Sequence, residues 1–180
     1  MGLTDLVETL GGDNALTDVR KVGIISDTHA SSIDEIPAKF RDIIRGVDLI
    51  IHAGDFTGKM LLDELRSMGI PFRGVYGNMD PHRIRGILRA EEIIELQNIK
   101  IGIAHPSEGG PPWAVQRLLR EKFPKIDAII YGHTHIVENE IKDGVSYINP
   151  GSAIGKYPAP YPSISVLELL PVPKVIIYRT

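Results

Sequence analysis

The chain contains no cysteine among its 180 residues. Disulfides and thiolate metal sites are therefore excluded, so any bound metal ion would need histidine, carboxylate or amide ligands. Aromatic residues make up only 6% of the sequence, with a single tryptophan, and the formal net charge is −3. Because the chain lacks a basic surplus and a basic stretch rich in aromatic residues, we do not expect a nucleic-acid partner.

Long apolar runs are also absent. No stretch approaches the roughly 18 apolar residues that a membrane-spanning helix needs, and the first 20 residues are too acidic for a signal peptide. We therefore expect no membrane partner and a cytoplasmic location. Within residues 1–20, four apolar residues recur at helical spacing: Leu3, Leu6, Val7 and Leu10. We interpret this extension as either a docking helix or a disordered tail, preceding a single domain over residues 21–180.

The first half of the domain alternates short apolar runs with helical segments. Buried strands are predicted at residues 21–27, 48–55 and 72–78, and helices at about 36–46 and 59–68. Such alternation is typical of a sheet with parallel strands flanked by helices.

Strands dominate the second half. Residues 91–97 and 100–105 have the pattern of a hairpin that turns at Asn98-Ile99. Further along the chain we predict a helix at about 113–122, a strand at 127–133 and four more strand-like runs. Two of those runs meet at Asp143-Gly144, a two-residue turn signal. We therefore expect an α/β fold in which two sheets pack together with helices outside.

Residues suited to metal binding recur where the predicted strands end. In chain order they are Asp27, His29, Asp55, Asn78, His105, His133 and His135. Loops at the carboxyl ends of strands build the site in open α/β sheets, so these seven side chains can converge. Their mixed nitrogen and oxygen donors suit manganese, iron, zinc or nickel better than calcium or magnesium. Two such ions about 3.5–4 Å apart could polarise a phosphoryl oxygen and generate hydroxide near neutral pH.

Each of these signals is weak alone. An aspartate at a strand end is more often a helix cap or a turn residue, and a lone histidine such as His105 is usually structural or exposed. The Gly-His-Thr-His run at 132–135 is more specific, because two imidazoles flanking one residue of extended chain can face the same side. The ordered set, with every member at a strand end, favours a metal site over these separate explanations.

The series D-T-H, G-D, G-N-M-D, H and G-H-T-H, followed by N-P-G-S at 149–152, resembles the calcineurin-like metallophosphoesterase superfamily. It is most similar to the small bacterial and archaeal phosphodiesterase branch, over residues 21–178. The resemblance implies a four-layer α/β/β/α sandwich of two mixed sheets with helices outside. It implies one metal ion held by Asp27, His29, Asp55 and His135. It implies a second ion held by Asp55 as a bridge, Asn78, His105 and His133.

The implied function is hydrolysis of a small phosphate ester, more specifically a diester, by a hydroxide that bridges two divalent ions. Asp55, Asn78 and His133 are the expected catalytic residues, and manganese is favoured over nickel, iron or zinc. The superfamily also includes a eukaryotic trafficking-complex subunit with a degraded metal site, so a non-catalytic scaffold of the same fold is the alternative. All seven positions here carry metal-competent residues, which favours catalysis. The branch also suggests a homodimer or tetramer.

Two positions depart from the family pattern. Met79 stands where many members have a histidine thought to protonate the leaving group, although the small-phosphodiesterase branch often lacks that histidine too. A thioether cannot donate a proton, so we expect a weaker general-acid step. Asp80 or His82 could substitute, but both are more simply explained as exposed residues at a helix start. Pro106 follows His105 where glycine is more usual in the family.

Four residues near these motifs have no firm role. His52 is either a partner that orients a metal ligand or a packed strand residue. Arg83 and Arg85 would suit a substrate phosphate, but solvated surface arginines are the simpler explanation. Lys156 is expected to border the pocket without an assigned chemistry.

Overall fold

A computed structural model describes residue 16, residues 18–108 and residues 111–180. The elements of the first half are β1 (Lys21–Ile25), α1 (Ala38–Arg45), β2 (Leu49–His52), α2 (Lys59–Arg66), β3 (Phe72–Gly74) and α3 (His82–Arg85). Those of the second half are β4 (Glu91–Leu96), β5 (Ile99–Ala104), α4 (Pro112–Lys122), β6 (Ala128–Tyr131), β7 (Glu138–Lys142), β8 (Val145–Asn149), β9 (Ser163–Glu168) and β10 (Lys174–Arg179). Among the described residues, no helix has the length and apolar character to cross a membrane.

The strands form two mixed sheets of five strands each. The first has the order β10-β9-β1-β2-β3, in which β1, β2 and β3 are parallel and β9 and β10 are antiparallel additions. The second has the order β4-β5-β6-β8-β7, in which β5, β6 and β8 are parallel and both edge strands are antiparallel. The predicted α/β class with two mixed sheets is therefore confirmed.

Alternate side chains of the central strands face different layers. Ile24 packs in a cluster between the two sheets, whereas Ile25 packs with Phe40 of α1 on the opposite face. On the far side of the molecule, Leu119 of α4 packs against Ile129 of β6. Burial of each side chain of this size stabilises the folded state by about 1.5–3 kcal/mol. The layers therefore run helix, sheet, sheet, helix, which confirms the predicted sandwich.

The β4–β5 hairpin turns one residue earlier than predicted. Leu96 pairs with Ile99, and the turn residues are Gln97 and Asn98, with φ of 52° and 66°. A β-branched side chain such as that of Ile99 is strained at positive φ, so the isoleucine enters the strand and the turn moves back. The other predicted two-residue turn, at Asp143-Gly144, is confirmed, with φ of 50° and 76°.

The predicted extension, residues 1–20, is described only at its end. Leu3, Leu6, Val7 and Leu10 lie outside the described residues. Leu16 and Val19 are buried in the cluster between the two sheets. The backbone N–H groups of Arg20 and Lys21 both donate to a carboxylate oxygen of Asp48, at 2.9 and 2.8 Å. These contacts hold the chain against the core just before β1.

Candidate metal centre

All seven predicted ligands lie in loops that follow strands, and the structure brings them together. Asp27 and His29 follow β1, Asp55 follows β2, Asn78 follows β3, His105 follows β5, and His133 and His135 follow β6. Both sheets therefore contribute to the cluster. Its side chains form two groups that share one carboxylate.

The first group consists of Asp27, His29, Asp55 and His135, whose ligand atoms all lie within 4.8 Å of one another. His135 Nε2 is 3.3 Å from Asp27 Oδ1 and 3.2 Å from His29 Nε2. His29 Nε2 is 3.7 Å from Asp55 Oδ2. Two imidazole nitrogens and two carboxylates directed at a common point form a donor set that fits a divalent cation.

The second group is centred on Asn78. Its Oδ1 atom lies 3.2 Å from His105 Nε2 and 3.0 Å from His133 Nδ1. His105 Nε2 is also 3.5 Å from Asp55 Oδ2. The same carboxylate oxygen therefore faces both His29 and His105, which is the position that a bridging ligand between two ions requires.

Backbone carbonyls fix the orientation of two imidazoles. His105 Nδ1 donates to the carbonyl of Ala53 at 2.7 Å. His135 Nδ1 donates to the carbonyls of Lys156 and Tyr157, both at 2.9 Å. Because a carbonyl can only accept, Nδ1 of each ring carries a proton, and Nε2 is the nitrogen that can bind a metal ion when the ring is neutral.

Asp80 joins two of the ligand loops, and the expectation of an exposed helix-start residue is wrong. Its side chain is buried, and Oδ2 accepts from the N–H groups of Asp55 at 3.0 Å and Gly77 at 2.8 Å. Oδ1 accepts from the N–H of Thr57 at 2.9 Å. Burial raises the pKa of Asp80, although these three donors favour the ionised form. Both carboxylate oxygens are engaged with the backbone, so Asp80 holds the loops in place.

Arg85 is also more than a solvated surface residue. Its Nε donates to the carbonyl of Asp80 and its Nη2 to that of Asn78, both at 2.7 Å. The guanidinium lies over the Tyr76 ring, 5.4 Å from the ring centre. Arg85 therefore fixes the backbone of the loop that carries Asn78.

His52 supports the ligand loops from behind, which favours the orienting interpretation. It is fully buried, and its Nδ1 accepts from the N–H of Gly54 at 3.1 Å. The other nitrogen must then carry the proton, so Nε2 donates to Thr28 Oγ1 at 3.1 Å. The Thr28 hydroxyl in turn donates to the carbonyl of Asp55 at 3.2 Å. Burial lowers the pKa of His52 well below its usual range, in agreement with this neutral form.

The Asn-Pro-Gly-Ser turn holds two further loops. Ser152 Oγ donates to the carbonyl of Asp27 at 2.7 Å. Asn149 Nδ2 donates to the carbonyl of Gly132 at 3.3 Å and to Thr134 Oγ1 at 3.0 Å. The motif was visible in the sequence, but these partners follow from the folded chain and could not be assigned from spacing.

Left-handed backbone is concentrated at this cluster. Six residues other than glycine have positive φ there, namely Asp27 (49°), His29 (43°), Asp55 (61°), Thr57 (66°), His133 (79°) and His135 (59°). Each such conformation costs about 1–3 kcal/mol and persists only when its surroundings fix it. Close packing adds to this constraint, since a Cβ on Gly77 would lie 2.1 Å from Asp55 Oδ1. Strain of this kind is typical of functional sites.

The carboxylates determine the protonation of the imidazoles. Burial lowers the pKa of His29 and of His133. Burial alone would also lower the pKa of His105, but its hydrogen bond to Asp55 and the charge of Asp27 raise that pKa above the usual value. The negative potential that retains a proton on His105 would equally favour a bound cation.

The cluster adjoins a cleft and a side cavity. A cleft of about 420 Å³ is lined by five of the seven predicted ligands together with Thr57, Met79 and Lys156. A side cavity of about 310 Å³ opens beside Asn78 and His105, so Asn78 lines both spaces. A larger cavity, of about 710 Å³, lies along β4 and is lined by none of the seven residues.

Comparisons with known proteins identify the family of the chain. A model of the calcineurin-like phosphoesterase superfamily domain matches residues 21–170. A probable metallophosphoesterase of Methanocaldococcus jannaschii is 38% identical over 133 residues, which is 73% of this chain and 67% of that protein. A phosphodiesterase of the same archaeon is 30% identical over 161 residues, covering 82% of this chain and 92% of its own length. Wild-type Vps29 of Entamoeba histolytica, solved in complex with Zn²⁺, superimposes with a TM-score of 0.70 at 27% identity, covering 88% and 98% of the two chains. The chain therefore belongs to the calcineurin-like phosphoesterase superfamily.

Proposed function

We propose that this chain is a metal-dependent phosphodiesterase that hydrolyses a small phosphate ester at the cluster described above. The observation that carries the proposal is the shared position of Asp55, whose Oδ2 faces His29 at 3.7 Å and His105 at 3.5 Å. Membership of the phosphoesterase superfamily and the similarity to an archaeal phosphodiesterase support a hydrolase.

The donor set fits two divalent ions. One ion would be held by Asp27, His29, Asp55 and His135, and the other by Asp55, Asn78, His105 and His133. When bound, such a pair supplies Lewis-acid activation of the phosphoryl group and lowers the pKa of water towards neutrality. Manganese is the proposed ion, and nickel, iron and zinc also suit imidazole with carboxylate donors.

The chain's own residues fix the geometry of the reaction. The N–H of Met79 donates to Asp55 Oδ1 at 2.8 Å. This hydrogen bond leaves Asp55 Oδ2 directed towards the imidazoles of His29 and His105. Asn78 and His133 line the cleft, where their polar atoms can orient a phosphate, and we assign them catalytic roles together with Asp55. Lys156, which also lines the cleft, adds a positive charge that complements a diester monoanion.

The cleft is poor in proton donors for a leaving group. The Met79 side chain is exposed and cannot donate a proton, and both carboxylate oxygens of Asp80 are engaged with backbone N–H groups. The natural substrate should therefore carry a leaving group that needs little protonation, which is the second element of the proposal.

Hydrolysis of bis(p-nitrophenyl) phosphate with added Mn²⁺ or Ni²⁺ tests the proposal. Asp55→Ala and His133→Ala should each lower kcat/KM by at least about 100-fold, because each removes a ligand of a proposed ion. Asp42→Ala is the matched control, since Asp42 is an exposed carboxylate of α1 that pairs only with Arg45 among the contacts seen. Equal activity in all four proteins would place the chemistry elsewhere.

A non-catalytic scaffold of the same fold is the second candidate, favoured by the likeness to Vps29. Because that Vps29 structure contains zinc, metal binding alone does not separate the two functions. Elemental analysis and hydrolysis must be measured on the same preparation. Bound metal without hydrolysis of any diester would favour the scaffold. The cytoplasmic location and the homodimer or tetramer stay predictions from the sequence.

A further inference from the structure

The side cavity beside the proposed metal centre indicates the kind of substituent that the substrate carries. Its volume is about 310 Å³, and Asn78 and His105 form one wall. Pockets for small ligands begin at about 300 Å³, so the cavity is large enough for one substituent of a phosphate ester. Since Asn78 also lines the cleft, a diester with its phosphate in the cleft can extend one substituent into this cavity.

The charges around the cavity are balanced. Lys122 forms an ion pair with Glu91, and Glu108 lies close enough to add to the negative potential at the Lys122 ammonium. Arg85 is the second cation, and its guanidinium is already hydrogen-bonded to the carbonyls of Asn78 and Asp80. A second phosphate group would thus be repelled by two carboxylates. Both cations already have partners, so neither is available to compensate. An anionic substituent is disfavoured on this ground.

A flat aromatic substituent is disfavoured as well. Apart from the His105 imidazole, Tyr76 is the aromatic side chain that lines the cavity among the described residues, and the Arg85 guanidinium lies over its ring at 5.4 Å from the ring centre. The remaining polar groups include the carboxylates of Glu91 and Glu108 and the hydroxyl of Ser107. A hydroxyl group both donates and accepts hydrogen bonds, so it can pair with acceptors and donors in this mixed wall.

We infer that the side cavity binds an uncharged, hydroxyl-bearing ester substituent, such as a glyceryl group, while the phosphate lies in the cleft. This inference rests on the proposed function for the position of the phosphate. It adds the class of substrate: a diester whose retained substituent is a small polyol and whose other substituent is the leaving group.

Calorimetric titration of the metal-loaded protein with glycerol 1-phosphate and with methyl phosphate tests the inference without turnover. The two probes carry the same phosphate group and differ in the substituent. Wild type should bind glycerol 1-phosphate about tenfold more tightly, the effect expected of about two hydrogen bonds. Ala90→Trp, at an exposed position on the cavity wall, should remove this difference and leave the Kd of methyl phosphate unchanged.

Ile87→Trp is the matched control, because Ile87 is exposed on the same connection between α3 and β4 but does not line the cavity. It should keep the wild-type preference. Equal affinity of wild type for both probes, or equal weakening of both by Ala90→Trp, would overturn the inference. If the preference and its loss are observed but neither bis(p-nitrophenyl) phosphate nor glyceryl p-nitrophenyl phosphate is hydrolysed, the proposed function fails and the cavity stands as a binding site in a scaffold.

Discussion

At the scale of single residues, the ligand cluster depends on side chains that would not touch a metal ion. Asp80 accepts three backbone N–H groups from the loops after β2 and β3. His52 and Thr28 link the carbonyl of Asp55 to the N–H of Gly54 through two side-chain hydrogen bonds. Partners of this kind orient ligands, and their loss typically costs 10–100-fold in metal affinity or activity.

Asp80→Asn should weaken metal binding while leaving every proposed ligand in place. An amide nitrogen directed at backbone N–H groups cannot accept, so at least one of the three hydrogen bonds is lost. We expect Mn²⁺ affinity to fall about 10–100-fold and the free energy of unfolding to fall by about 1–3 kcal/mol. Isothermal titration calorimetry measures the Mn²⁺ affinity, and denaturant titration measures the free energy of unfolding.

Asp63→Asn is the control for this change. Asp63 is an exposed carboxylate of α2 that pairs with Lys59 on the helix surface, so its loss should cost less than about 0.5 kcal/mol. Unchanged Mn²⁺ affinity in Asp80→Asn would show that the loops keep their geometry without this carboxylate.

Met79→His should raise turnover on diesters with poor leaving groups. Met79 is 58% exposed and lines the cleft, so an imidazole there can reach the substrate. General-acid catalysis contributes about 10²–10⁴-fold, and a new donor should recover part of that range. The measurement compares kcat for phenyl and p-nitrophenyl esters, with the larger gain expected for phenyl. No gain, with metal content intact, would place the leaving group away from residue 79.

At the scale of elements, strands were predictable and loop contacts were not. The run 48–55 is rich in apolar residues, which predicts the buried strand β2, and Asp55 follows the end of that strand. Both strands are shorter than predicted, since β2 ends at His52 and β3 at Gly74. After Gly74 the chain leaves the sheet towards Asn78, with an isolated bridge from Val75 to Arg89. The buried position of Asp80 depends on donors from the loop after β2, distant in sequence, which local patterns do not contain.

Gly77→Ala should distort the loop after β3. The new Cβ would lie 2.1 Å from Asp55 Oδ1, so the carboxylate must move. We expect Mn²⁺ affinity to fall about 10–100-fold and the free energy of unfolding to fall by about 1–3 kcal/mol. Gly46→Ala is the control, because its nearest contact would be 3.5 Å away. Normal metal affinity in Gly77→Ala would mean that Asp55 is less constrained than its packing indicates.

At the scale of the whole molecule, ligands from both sheets meet at one centre. Bound ions would connect the loops after β1 and β2 with those after β5 and β6. An ion that binds only the folded chain stabilises it by about 2.7 kcal/mol at 100 times its Kd. Differential scanning calorimetry should show a Tm that rises with Mn²⁺ concentration in wild type. Asp55→Ala should show little rise, and an equal rise in both proteins would indicate binding elsewhere.

Metal affinity should fall as the pH decreases through the histidine range. Burial alone would lower the pKa of His105 and of His135. Asp55 and Asp27 raise the pKa of His105 above the ordinary value of 6.5, and Asp27 with the carbonyls of Lys156 and Tyr157 does the same for His135. These imidazoles therefore begin to gain protons above pH 6.5, and a protonated ring cannot bind an ion. Mn²⁺ affinity measured from pH 8 to pH 6 should decrease, with up to one proton released per ion bound, because each proposed ion has one histidine with a raised pKa and one with a lowered pKa. Affinity independent of pH over this interval would exclude both histidines as ligands.

The place of β1 in its sheet has a consequence for biosynthesis. β1 lies between β2 and β9, so a strand translated early is flanked by one translated late. His135, which contacts Asp27, and Ser152, which holds the carbonyl of Asp27, are also synthesised long after it. A nascent chain on the ribosome therefore carries the first ligands without a metal site. With the proposed ligand set, it would gain affinity for an ion only after the second sheet and β9 have emerged, which would confine metal loading to nearly finished chains.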